Sequence, residues 1–201
     1  MKRLITLALL FAAFAVRAED PIGTAVENYF TAVFAKLETV AAQNPTHDTF
    51  REAMKPLAES VPGFFGGSLI TPDFVIAQSY YKIHALANGY DLKKVTPLDY
   101  FRNLMRTAPA PQLSEPGRGS LLQPRLISMR YPVRTGGKLV RIVSIMVRTE
   151  TFLESTGLDK CSAYKIICRG ELAEEKGKLS ARPREVKLAL PSTEWVIQYD
   201  L

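Results

Sequence analysis

From residue 26 onward apolar positions recur at spacings of three and four, at Val26, Tyr29, Phe30, Val33, Phe34, Leu37, Val40 and Ala41. This stripe predicts one long amphipathic helix, ended by Asn44 and Pro45. A second helix is expected over about 48–60, with Phe50, Met54 and Leu57 on one side and Pro56 kinking it or ending it early. The stripes suit a protein core or a helix pair better than a membrane surface. The pattern then shortens. Apolar runs at 67–70 and 74–80 flank Thr71-Pro72-Asp73, a turn signal, and predict a hairpin. Thr96-Pro97-Leu98-Asp99 predicts a helix start with threonine at the N-cap; the helix runs through Arg106 with Tyr100, Phe101, Leu104 and Met105 on its face. Residues 107–124 carry Pro109, Pro111, Pro116, Gly117 and Gly119, which predict a long loop acting as a lid or pocket wall. Beyond it, runs at 125–133 and 138–148 frame a Gly136-Gly137 turn, a short helix is expected near 150–155, and three more strand-like runs occupy 162–169, 185–190 and 193–199. Helices first and then a mainly antiparallel sheet of five to seven strands, with one helix inserted, is an α+β layout.

The N-terminus adds a location. Lys2 and Arg3 precede an apolar run over 4–16 that is too short to span a bilayer, and Val16 and Ala18 are the small residues expected ahead of a cut before Glu19. Ala13 and Ala15 allow a slightly earlier cut, and an uncleaved N-terminal anchor is the alternative. Residues 1–18 are therefore read as a signal peptide. Residues 19–201 are read as one periplasmic or secreted domain, with a helical arm over 22–60 and a sheet domain over 61–201. Losing 1–18 removes Lys2, Arg3 and Arg17 but no acid, which lowers the net charge from +6 to +3. Basic residues scattered among acids give no stripe for nucleic acid, so no nucleic-acid partner is expected.

Candidate chemistry is sparse. Cys161 and Cys168 are the only cysteines. On one strand they would lie about 23 Å apart on opposite faces, which favours free, buried thiols over a bridge. With only His47 and His84 besides, no metal site and no cofactor are expected. Ser68, Ser114 and Ser120 lie near glycines but outside any G-x-S-x-G, and the carboxylate pairs Asp99 with Glu115 and Glu174 with Glu175 lack an apolar surround. The Glu174-Glu175 pair, beside Lys176-Gly177-Lys178, reads as a solvated turn. The chain is not expected to be an enzyme.

Taken in order, a long helix, "GGSLITPDFVIAQS", "GYDL", "DYFRNL", a loop with "LSEP", "PRLISMRYPV" and "GGKLVRIVSIMV" resemble the Cache (PDC) family of extracytoplasmic sensor domains over about 22–201. The resemblance implies a long N-terminal helix packed on a PAS-like sheet, and a small-molecule ligand held beneath the 107–124 loop. Phe74 departs from the family, which often has glycine there. With no apolar span after Leu201, the resemblance implies a stand-alone sensor domain without an output module of its own. It points to Tyr100 and Arg102 as ligand-binding residues, with Ser128, Arg130 and Ser144 next, because tyrosine offers a wall with a hydroxyl and arginine a two-pronged grip on a carboxylate or amino acid. Ser128 and Arg130 share a strand face opposite Ile127, Met129 and Tyr131. A homodimer or a membrane-protein partner is the expected company. The alternative is a periplasmic structural or interaction protein that dimerises through the N-terminal helix and binds no ligand.

Overall fold

The structure is a computed structural model that describes residues 20–81, 87–117 and 124–201. The signal segment 1–18, His84 and Ser120 lie outside the described residues. Helix α1 (Pro21–Ala42) starts where Asp20 accepts a hydrogen bond from the Gly23 N–H at 2.8 Å and Pro21 takes the first turn. The second carboxylate oxygen of Asp20 accepts from the Tyr199 hydroxyl at 2.8 Å, tying the helix start to the last strand. Asn44, left-handed at φ 47, ends it as expected. Helix α2 (Phe50–Ser60) runs through Pro56 without stopping, against expectation. Phe50, Met54 and Leu57 are buried on both sides of the proline, and that packing outweighs its missing N–H.

The antiparallel α+β arrangement is as expected, and its strands divide into two sheets. The first contains β1 (Phe64–Ile70), β2 (Ile76–Tyr81), β3 (Gln112–Leu113), β4 (Leu126–Thr135) and β5 (Lys138–Arg148), in the order β2-β1-β5-β4-β3. The second contains β6 (Ala163–Cys168), β7 (Glu171–Lys176), β8 (Arg184–Leu190) and β9 (Thr193–Asp200), in the order β7-β6-β9-β8. Later strands thus build a second sheet instead of extending the first. Helix α3 (Asp99–Thr107) follows a 3-10 turn at Thr96–Leu98, so Leu98 stands at its N-cap, not Thr96. Helix α4 (Thr149–Thr156) links the sheets.

The main core fills the space between α1, α4 and the inner faces of both sheets. Phe30 of α1 stacks on Phe152 of α4 at 5.1 Å, and Trp195 of β9 meets both rings edge-on at 5.3 and 5.9 Å. The apolar stripe of α1 is therefore spent inside the domain; Glu27, Asn28, Thr31, Ala35 and Glu38 face outward. A second, smaller core lies on the outer face of the first sheet, where Phe101 and Met105 of α3 cover Ile70, Ile76 and Ile142. Phe74 belongs to it. Its backbone is left-handed at φ 62, the reason glycine is favoured at such a turn, and its ring is held against Phe101 at 5.6 Å with the Arg106 guanidinium 5.0 Å from its centroid. Ring burial offsets the backbone cost.

Both cysteines are unpaired, and both side chains enter the same core. Cys161 ends a 3-10 turn ahead of β6, so the strand parity that set it opposite Cys168 does not reach it. Burial pushes both thiols up, Cys168 to about 12. At pH 8 Cys168 is then held almost wholly as the thiol. Iodoacetamide at pH 8 is expected to label neither cysteine in the native protein and both after unfolding; rapid native labelling of Cys168 would contradict this burial.

Candidate ligand cavity

Strand pairing places five polar side chains in one row across the whole first sheet. Ser79 pairs with Ser68, Ser68 with Ser144, Ser144 with Arg130 and Arg130 with Gln112. Directly paired residues share a face, and all five are buried. The opposite face carries Leu69, Ile127, Met129, Val143 and Ile145, which belong to the main core. The row ends in a cavity of about 180 Å³ at the β3–β4 side of the sheet, beneath α3.

Arg130 is its most unusual wall. The guanidinium lies 4.2 Å from the Phe101 ring centroid, and the residue is only 7 % exposed. Burial pushes it down to about 10, and the Glu115 carboxylate opposes that shift from a distance. It stays cationic at neutral pH, and among the described residues no carboxylate is in ion-pair contact with it. Beside it, the Gln112 side-chain amide donates to the Phe101 carbonyl at 3.4 Å, and the Ser114 hydroxyl accepts from the Ser128 N–H at 2.8 Å. The expected loop is thus strand-like in part: Ser114 N–H donates to Ser128 O at 2.9 Å, and Gly117 N–H to Leu126 O at 2.8 Å. A Cβ on Gly117 would lie 3.1 Å from that same Leu126 oxygen, so glycine permits the close approach.

The second sheet supplies the far wall. Arg169, in the two-residue turn between β6 and β7, donates to Glu115 Oε1 at 2.9 Å and lies 4.4 Å from the Tyr100 ring centroid. Ser192, in the turn between β8 and β9, accepts at its carbonyl from the Tyr100 hydroxyl at 3.0 Å. Both residues are left-handed, at φ 52 and 64, conformations that cost a side-chain-bearing residue about 1 kcal/mol or more.

Of the residues singled out from sequence, Tyr100, Ser128 and Arg130 line this cavity. Ser144 is paired with Arg130 in the buried row and does not line it. Arg102 does not line it either: it donates to the Leu92 carbonyl at 2.9 Å and pairs with Asp99 one turn back. Sequence reasoning gave no ligand role to Gln112, Ser114, Glu115, Arg169 and Ser192. The expected run over 162–169 includes Arg169 in the strand; Gly170 beside it is the local mark of the turn, and no local pattern shows where that turn points.

The carboxylates considered for acid/base work each have a cation: Asp99 with Arg102, Glu115 with Arg169, Glu174 with Arg125, and Glu175 with Lys165. Glu174 is not in a solvated turn. It lies in β7, buried, and Arg125 bridges it to Glu150 of α4. His47 is exposed and contacts Asp48 and Gln78. A larger groove of about 510 Å³ runs along α1 past Phe34, Tyr131 and Leu190, but its charged groups, Glu27 and Glu38, are exposed. A buried cation with converging polar groups defines a ligand site better than volume does.

No family model and no curated protein matches the sequence. Solved structures do match. An extracellular ligand-binding receptor from Desulfohalobium retbaense superposes with a TM-score of 0.68 at 13 % identity, covering 89 % of this chain and 39 % of that one. The ligand-binding domain of the Pseudomonas aeruginosa amino acid chemoreceptor PctC, in complex with GABA, gives 0.62 at 14 % identity over 88 % of this chain and 94 % of that one. That of PctB, in complex with L-Arg, gives 0.61 at 16 % identity over 89 % and 91 %. The chain thus spans less than half of the Desulfohalobium receptor and nearly all of the two Pseudomonas domains. It has the fold of the Cache/PDC-type sensor domains of chemoreceptors, the fold that its sequence resemblance implies.

Proposed function

We propose that this domain is a non-enzymatic, exported sensor that binds a small carboxylate-bearing molecule, a simple carboxylate or an amino acid, in the cavity at Arg130. The observation that carries the reading is Arg130 itself, a buried cation with open space beside it and, among the described residues, no carboxylate in contact. Burying an uncompensated charge is costly. An incoming carboxylate restores two-pronged, charge-assisted hydrogen bonds to it. Ser128 and Gln112 offer further polar groups, and Tyr100 and Phe101 give aromatic walls. The fold shared with extracellular ligand-binding domains supports the sensor role, and the basic, apolar and small-residue pattern of 1–18 supports export. Transfer of the bound state to a separate membrane protein is part of the same proposal. The outward face of α1, small and charged instead of apolar, gives the dimer-scaffold alternative no comparable support.

A thermal-shift panel of short carboxylates and amino acids against the full chain tests it. A ligand at a hundred times its dissociation constant adds about 2.7 kcal/mol of stability, a rise of roughly 5–10 °C for a domain of this size. A folded protein whose melting temperature moves with no carboxylate up to millimolar concentrations would remove this function.

A further inference from the structure

The charges around the cavity do not balance. Among the described residues, three charged side chains line it: Arg130, Arg169 and Glu115. The Glu115 carboxylate is already engaged by Arg169, whose guanidinium also stacks on Tyr100. Arg130 and Glu115 interact only at longer range. These three groups together carry one net positive charge, and Arg169 already holds Oε1 of the acidic one. A monoanion neutralises the wall. A zwitterion brings its carboxylate to Arg130 but leaves the net charge uncancelled, and its ammonium then meets two guanidinium groups against a single carboxylate whose Oε1 Arg169 already holds.

We infer that the cavity selects small monocarboxylates lacking an ammonium group over the corresponding amino acids, and that Arg169, reaching in from the second sheet, is the residue that sets this choice. The inference rests on the carboxylate-binding reading above and deepens it. The placement of Arg169 supports it independently. The residue holds a left-handed backbone at the first position of a two-residue turn, a place that asparagine, aspartate or glycine fills at least cost. That turn carries the guanidinium across to a cavity in the other sheet, between a carboxylate and an aromatic ring. Arg169 and Glu115 are partly exposed, so water screens them, and one unbalanced charge a few ångströms from an ammonium is expected to shift affinity about fivefold.

The test uses matched pairs that differ only in the amino group: propanoate with L-alanine, and 4-methylpentanoate with L-leucine, titrated calorimetrically into the full-length wild type. The desamino acid of each pair is expected to bind about fivefold tighter. Arg169→Gln frees Glu115 and removes the net charge, so the order within each pair is expected to reverse. Glu115→Gln raises the net charge and is expected to widen the wild-type preference, which keeps the test decisive if Arg169→Gln fails to fold. Equal or tighter binding of the amino acids by wild type overturns the selectivity but leaves carboxylate binding standing. A preference that neither variant changes overturns the role of Arg169. Binding of neither member of either pair, in a protein that responds to other carboxylates, also overturns the inference; a response to no carboxylate at all overturns the function proposed above as well.

Discussion

Replacing Arg130 by methionine is expected to stabilise the ligand-free protein and to weaken carboxylate binding by about a hundredfold or more. The opposite signs follow from one fact. Arg130 is buried against Phe101 with no carboxylate among the described residues in contact, so the ligand-free domain bears the desolvation cost of a guanidinium without the ion pair that would offset it. Methionine keeps much of the volume, packs its sulfur on the Phe101 ring and removes that cost, a gain of about 1 kcal/mol or more. The two charge-assisted hydrogen bonds lost to a carboxylate are worth about 1.5–3 kcal/mol each, which gives the loss in affinity. Arginine titration adds a pH signature. The Arg130 guanidinium is pushed down to about 10, below its ordinary value. The destabilisation from burying its charge is therefore present in full below pH 10 and eases as pH rises above it, while carboxylate binding holds from neutral pH and falls through pH 10. Denaturant unfolding of both proteins, with calorimetric titration of one carboxylate, reads both signs. A variant destabilised by more than about 2 kcal/mol would show that Arg130 is a structural cation and not a ligand-binding one.

Trp195→Ala is expected to cost about 3–5 kcal/mol, roughly 10 °C in melting temperature. The indole is fully buried on β9 of the second sheet and contacts Phe30 of α1 and Phe152 of α4, elements that also pack on the first sheet. Removing it leaves a cavity where three elements meet, and aromatic edge contacts contribute beyond area alone. Trp195→Phe is expected to cost far less, because it keeps the ring contacts and removes an indole N–H that has no hydrogen-bond partner among the described residues. Since Trp195 is the only tryptophan, its wild-type emission reports on this junction. Fluorescence and far-ultraviolet dichroism are expected to follow a single coincident transition. Separate transitions, or a loss below about 1 kcal/mol for the alanine variant, would mean that the sheets do not share the cluster energetically.

Elements with a strong internal period were legible in the sequence: the α1 stripe, the β4–β5 hairpin around Gly136-Gly137 and the final strand pair all lie within a residue or two of their expected bounds. Strand β7 was not, because Glu-Leu-Ala-Glu-Glu-Lys is an edge strand whose exposed positions are charged. Its inward Glu174 makes sense only beside Arg125, distant in sequence. Partnership was also hidden. Period two identifies strands but not neighbours, so nothing local separated one sheet from two. In the site, strand parity put Ser128 and Arg130 on one face correctly. The same local reasoning did not weigh Asp99, the acid one turn before Arg102, with which Arg102 pairs away from the cavity lining. Arg169 and Ser192 reach the cavity only through the docking of the second sheet, which no window of sequence contains.

That docking has a mechanical meaning. With Arg130 and Gln112 fixed in one sheet and Arg169 and Ser192 in the other, the cavity measures how closely the two sheets are seated. Free-energy coupling is reciprocal. A force that levers the sheets apart must loosen whatever lies between them, and a tightly held occupant must resist that force by the same amount. An occupant of the cavity is therefore expected to stiffen the junction between the sheets, whose last strand the Tyr199–Asp20 hydrogen bond also ties to the start of α1.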